Sequence, residues 1–395
     1  TFAPDGKTVS FLREGATGED LWLVPTMGGS PQRMTEGDRF IFGQTWVPDE
    51  RSLLLATALD SAGRTELWRF WIKDKRWEHV PVTANLGIVP GGLNLGVAPS
   101  LSLDGHRLAF IQYRSHADVW RIALPTRGRA QSEPLNLTDS ISENVDPIYS
   151  PDGSRFVFVS NRTGHSEIYV AQSDGSNVVQ LTSFGGNDAG SPRWSPDGNQ
   201  ITFDFRPGAH AHIFVVDSNG GPPRQLTLGD TDNMLPRFSH DGQWIYFARE
   251  RRGGTDIWKL PAGGGQPVFV LPDGCMCWDS ADGQTLYYSK ISQKDIYARP
   301  LKGGEEHVVI RNALSSGGTF FVETGGIYYL ASPKSEASNV AILTFFDFAS
   351  GQSKSLMPAW PSPFPNFGIS PDHAWLIIDR MERRSDVMLV ENFRP

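Results

Sequence analysis

Short runs of alternating apolar and polar residues recur along the chain, as in "RFVFVS" (155–160), "QITFDF" (200–205) and "WIYFAR" (244–249). Alternation of period two hides one face of a strand, and the runs are too short for helices. Each follows an aromatic residue (Tyr149, Trp194, Phe238) and a turn, "SPDG" or "SHDG". Pro presets φ in such a turn, Asp bonds the backbone ahead of it, and Gly takes the positive-φ position. After a variable loop comes an acid or polar residue, an apolar residue and an aromatic: "DLW", "ELW", "DVW", "EIY", "HIF", "DIW" and "DIY", ending at Trp22, Trp68, Trp120, Tyr169, Phe214, Trp258 and Tyr297. A glycine turn and a closing strand such as "VVQLT" complete the unit.

Aligned on the turn aspartate, the copies fall at Asp5, Asp49, Asp104, Asp152, Asp197, Asp241, Asp282 and Asp372, with a degenerate one around "VETGGIYYL" (322–330). Four short antiparallel strands repeated about every 45 residues are the signature of a β-propeller blade. The fold class is therefore all-β, a propeller of four-stranded antiparallel blades. Nine copies, with the first lacking most of its innermost strand and the last its outermost, predict eight blades within a range of seven to nine. One propeller then spans 1–395. In the alternative division, 1–83 ends a preceding array, 84–99 is a linker, and 100–395 forms a seven-bladed ring.

The repeat resembles that of TolB-like propellers, which also serves as the propeller of prolyl oligopeptidase-type peptidases. The resemblance covers nearly the whole chain and is strongest over 146–260. "SNRTGHSEIYVAQSDGSNVVQLTSFGG" and "SDVMLVENFR" further resemble the C-terminal propeller of bacterial winged-helix transcriptional regulators. That resemblance implies a sensor or interaction module joined to an upstream domain. It also implies a bacterial, periplasmic or otherwise extracytoplasmic setting, with the cytoplasm as the alternative. The chain opens at Thr1, inside a repeat, which is the expectation for a fragment or a processed form.

Composition narrows the function classes. A net charge of −8 opposes direct nucleic-acid binding by this segment, because phosphate recognition needs a basic surface. No apolar run reaches the roughly 18 residues of a membrane helix. No G-x-S-x-G elbow is present, so no catalytic residue is assigned and a non-enzymatic binding module is expected. The alternatives are the propeller of a prolyl oligopeptidase-type hydrolase whose catalytic domain lies elsewhere, and a lyase with its site in the channel. No cofactor is expected, and no metal. His165, His210 and His212 could be imagined around zinc, and Cys275 with Cys277 around a soft metal; solvated loops and small core residues are the simpler readings.

Loops between the second and third strands, and those between blades, emerge on one face and vary from copy to copy. A ligand or partner is expected there. The candidates are Asn161, Arg162 and His165, then Arg206, His210 and His212, then Arg249, Arg251 and Arg252, with Asn187, Asp188, Asp232 and Asn233 between blades. Their Arg, His and Asn content suits a protein partner or a small anionic or polar ligand.

Overall fold

The computed structural model of the protein describes all residues except 15–18, 37–39, 59–65, 81–93, 96–98, 126–132, 187, 292, 314–319, 332–340, 358–365 and 395. Asn187 and most of the 84–99 stretch thus lie outside the described residues. Strands and turns make up the described chain, which holds eight antiparallel sheets and no helix. Two compact units divide it, one of 1–115 with 382–395 and one of 116–381.

In the first unit Thr8–Glu14, Glu19–Pro25 and Gln32–Arg33 make a three-stranded sheet, matching the incomplete first copy. Phe40–Trp46, Ser52–Ala58, Glu66–Trp71 and Arg76–Val80 make a four-stranded one. Leu21, Ile41, Leu53 and Phe70 join the two in one core. Ser100–Leu101 pairs with the start of the long strand Arg107–Ala123, whose Leu108 and Phe110 pack with Phe393.

The second unit holds five four-stranded sheets, each antiparallel in chain order, over 144–180, 189–225, 233–271, 277–310 and 320–355. A sixth is assembled from both ends of the unit. Phe367–Ile369 is innermost, followed by Trp375–Glu391, Arg107–Ala123 and Leu135–Asn136. The last repeat, which stops without an outermost strand, is completed by residues that precede the 144–180 sheet in the chain.

Contacts between successive sheets close this unit into a ring of blades. Trp194 Nε1 donates to Ile148 O at 3.1 Å. Phe238 and Phe247 share a core with Ile213 and Val215, and Tyr246 and Ile257 share one with Cys277 and Tyr288. The Trp278 indole N–H donates to Phe320 O, and the Phe321 and Phe367 rings lie 5.1 Å apart. The turns repeat the circuit. Gly198 sits against Pro151, Gly242 against Pro196, and Gly153 against Pro371 of the closing sheet. Each of these glycines has φ near +70°, where a side chain is strained, and a Cβ at Gly153 would lie 3.2 Å from Pro371.

The recurring acids are used inside the blades. The turn aspartates cap their own turns: Asp152, Asp197 and Asp241 each accept from a Ser hydroxyl two residues back and a backbone N–H two residues ahead. The acid before the third-strand aromatic fastens the outer strand. Glu167 accepts from Thr182 Oγ1 at 2.6 Å and from the amides of Phe184 and Gly185. Asp118 does the same for Thr138 and Ser140.

Candidate functional site

The three candidate loops are the links between second and third strands of adjacent sheets, Arg155–Ser160 to Glu167–Gln172, Gln200–Phe205 to His212–Asp217, and Trp244–Arg251 to Gly254–Pro261. They lie at one end of their sheets and bond directly to the strands that start the next sheet. Ala189 N donates to Ser166 O at 3.0 Å and Asn233 N to Ala211 O at 2.9 Å. The turn aspartates cap the opposite ends.

Most of the predicted polar side chains serve this scaffold. Arg162 donates through Nη2 to Asn144 Oδ1 at 2.9 Å and through Nε to Ser160 Oγ, and it lies 4.9 Å over the Tyr169 ring. Arg249 repeats the arrangement two sheets on: Nε to Asn233 Oδ1 at 2.9 Å, and 4.2 Å over Trp258. Burial lowers the pKa of both guanidinium groups from the ordinary value. In the 277–310 sheet Lys290 takes this place over Tyr297, at 4.3 Å. In these three sheets the third-strand aromatic thus receives a cation from the end of the second strand or the residues just after it. Asn161 Oδ1 accepts from Glu143 N and shapes its own loop.

Asp232 gathers the middle loop. It receives Arg206 in a two-pronged pair, Nη2 to Oδ2 at 2.5 Å and Nη1 to Oδ1 at 3.1 Å, together with His210 Nδ1 and Ala211 N. These donors outweigh burial and hold its carboxyl below the usual range. His212 beside them is buried, and its Nδ1 has no hydrogen-bond partner. Burial, with the His210 charge, pushes its pKa down. Arg251 pairs with Asp256 at 2.9 Å and with Asp273. The arginines 206, 249 and 251 are therefore neutralised or stacked within the fold. Arg252 and Asp188 are exposed and His165 is half-buried, at the tips of a rigid frame.

The innermost strands carry a second set of groups that the pattern did not single out. Asp146, Ser191 and Leu235 adopt positive φ at a bulge, each just before a proline and at the same place in three successive sheets. Arg193 Nη1 reaches Asp146 Oδ1 and Oδ2 at 3.0 and 3.1 Å, both side chains being buried. Asp379 Oδ2 accepts Asp146 N at 3.0 Å, and Asp204 Oδ2 accepts Leu235 N at 2.9 Å. A signal was available in "DPIY", "SPRW" and "LPRF", where a polar or bulky residue precedes a strand proline.

Burial, only partly offset by hydrogen bonds from Asp146 N and Asn366, raises the Asp379 pKa to about 7 from 3.8. A carboxyl whose folded pKa is raised holds its proton better folded than unfolded. It therefore costs stability progressively as pH rises from about 4 towards 7. The stability of the wild type relative to Asp379→Asn should fall across that window, as read by urea denaturation at a series of pH values. A flat difference would contradict the assigned environment.

Residues 183–344 match the family model described as TolB beta propeller domain. A protein named Tol-Pal system protein TolB, from Syntrophotalea carbinolica, is 29% identical over 97 residues, 23% of this chain and 22% of its own length. A Bacillus subtilis protein named uncharacterized peptidase YuxL is 27% identical over 164 residues, 41% of this chain and 21% of its own length. The crystal structure of TolB from Acinetobacter baumannii aligns over 96% of this chain and 82% of that one, at 14% identity and a TM-score of 0.46. The chain thus spans about a fifth of the length of these two curated relatives. The fold is a TolB-like propeller. The expectation that the chain is not an enzyme is corrected here, because its repeats are shared with a protein named as a peptidase. A missing nucleophile elbow in one segment does not exclude a catalytic role for a repeat array found in such a protein.

Proposed function

We propose that the 116–381 ring is the recognition propeller of a larger, extracytoplasmic bacterial protein, docking a protein partner on the face that carries loops 161–167, 206–212 and 249–255. One observation carries the reading. The turn face spends its polar groups on repeat positions that are the same from sheet to sheet, whereas the loop face holds tips that differ, with His165, Asp188 and Arg252 set on braced arginines. Variable polar tips on a stiff frame are the arrangement of a recognition surface.

A second reading is favoured by the peptidase relative. In it the same face presents peptide substrates to a hydrolase domain of the native chain. The resemblance of 160–186 and 385–394 to the propellers of winged-helix regulators supports a third arrangement of the same module, as a sensor. In all three the loop face does the binding.

The triple variant His165→Ala, Asp188→Ala, Arg252→Ala should lose a partner captured from the native host. Asn199→Ala with Gln243→Ala, on the turn face, should keep it. Melting temperatures should stay within about 2 °C of wild type for the first set, since Asp188 and Arg252 are exposed, His165 is half-buried, and surface positions rarely change stability by more than about 0.5 kcal/mol. Equal capture by both sets of variants would place recognition elsewhere.

A further inference from the structure

We propose that the axial wall of the 116–381 unit is a receptor for a single carboxylate group, with Arg237 as its principal donor and Arg193 as its second. This site is separate from the loop face and stands independently of the function proposed above.

Arg237 lies on the innermost strand Asn233–Phe238, one residue after the bulge proline, and is only 7% exposed. Among the described residues it makes no hydrogen bond and no ion pair, and its Nη2 is enclosed without a partner. Its Cζ lies over the Trp278 ring, 3.0 Å from the centroid, with the Phe321 centroid at 5.8 Å. A ring face attracts the cation but supplies no oxygen acceptor, so the N–H donors stay without a hydrogen-bond partner. A buried charge without a partner is among the costliest arrangements in a folded protein and persists where something is gained from it.

Arg193 holds the same place on the preceding sheet, after Pro192. Its contacts to Asp146 and to Pro192 O all run through Nη1, which leaves Nη2 and Nε available. Burial disfavours the charge of Arg237, and the neighbouring Arg193 adds to this. The nearby acidic groups are already committed. Asp279 accepts His240 N at 3.0 and 3.1 Å, and burial keeps the Cys277 thiol protonated.

Charge selects the guest. Arg193 and Arg237 against Asp146 leave one positive charge, while burial favours the neutral form of Asp204, Asp279 and Asp379 around the wall. A monoanion is favoured over a dianion such as phosphate, and the planar carboxylate fits the guanidinium edge with two parallel bonds. The carboxylate could belong to a small organic acid or to the end of a peptide.

The test uses the 395-residue chain at pH 7.5 and constant ionic strength. Thermal unfolding and calorimetric titration are read with sodium acetate, sodium chloride, tri-alanine and tri-alanine amide. Acetate or tri-alanine should raise the midpoint, and chloride and the amide should not. A response to both carboxylates assigns small organic acids, and a response to tri-alanine alone assigns a peptide terminus. Arg237→Met should weaken carboxylate binding at least tenfold without lowering the midpoint of the unliganded protein. Arg237→Lys, which keeps the charge but not the fork, should bind with intermediate affinity and serves if the Met variant does not fold. Equal effects of chloride or the amide, no response to either carboxylate, or an undiminished response in the Arg237 variants would overturn the proposal.

Discussion

Replacing Asp146 by Ala should cost the 116–381 unit about 3–5 kcal/mol, the usual penalty for stranding one partner of a buried ion pair. Arg193 would keep its charge at an almost enclosed site with Arg237 beside it and without the carboxylate that now holds its Nη1. The backbone adds to the loss, because Asp146 sits at φ 55°, a region that Asp and Asn tolerate better than Ala. Asp146→Asn keeps an acceptor and that tolerance, so about half the loss should be recovered. Ordinary domains have only about 5–15 kcal/mol to lose, so the Ala variant should shift the urea midpoint far to the left. A change under about 1 kcal/mol would mean that the Arg193–Asp146 pair is not buried as described.

A comparable loss is expected at the closing sheet. Phe367 and Ile377 are both fully enclosed, one in the large core shared with Trp194, Phe203 and Phe321, the other in the core of Tyr149, Phe156 and Tyr169. They face different clusters, so their effects should add. Phe→Ala costs about 3–5 kcal/mol and Ile→Ala about 2–5 kcal/mol in well-packed cores. The double variant should therefore lose about 5–10 kcal/mol, enough to abolish cooperative unfolding of the ring near room temperature. Hydrogen exchange supplies the local readout. Amides of 156–159 on the neighbouring sheet should lose protection together with those of 376–378. Loss confined to 376–378 would show that the sixth sheet is an appendage and not the closure.

Much of this architecture was legible because the chain states it repeatedly. The turn aspartates, the alternating strands and the acids that precede most third-strand aromatics perform the tasks their residue types imply. Even the degenerate copy forms Phe320–Glu323 and Gly326–Ala331 about its turn. The course of the chain through copies three and nine was not legible. The repeat predicts a loop between second and third strands there, as in every other copy. The chain instead runs straight through Arg107–Ala123 and Trp375–Glu391, so each of these strands serves two units. Residues 113–117 and 381–385 contain no Gly or Pro, unlike the loops of Gly164, Gly208 and Gly253. Yet the link from Thr285–Ser289 to Ile296–Pro300 also lacks both and still turns back, so composition alone does not decide the matter.

The candidate site was legible in position more than in role. Arg162 and Arg249 were singled out as cations on variable loops, and their stacking on Tyr169 and Trp258 depends on where the third strand places its aromatic. Arg206 and Arg251 are countered by Asp232, Asp256 and Asp273, which approach through pairings invisible along the chain. Arg193 and Arg237 read as ordinary strand residues, because burial at the axis is a property of the closed ring.

Recognition by the loop face is tested most directly by cross-linking mass spectrometry on the chain bound to its captured partner. The account predicts partner cross-links at 161–167, 206–212 and 249–255. Cross-links concentrated at the opposite turns, 151–154, 196–199 and 240–243, would contradict it.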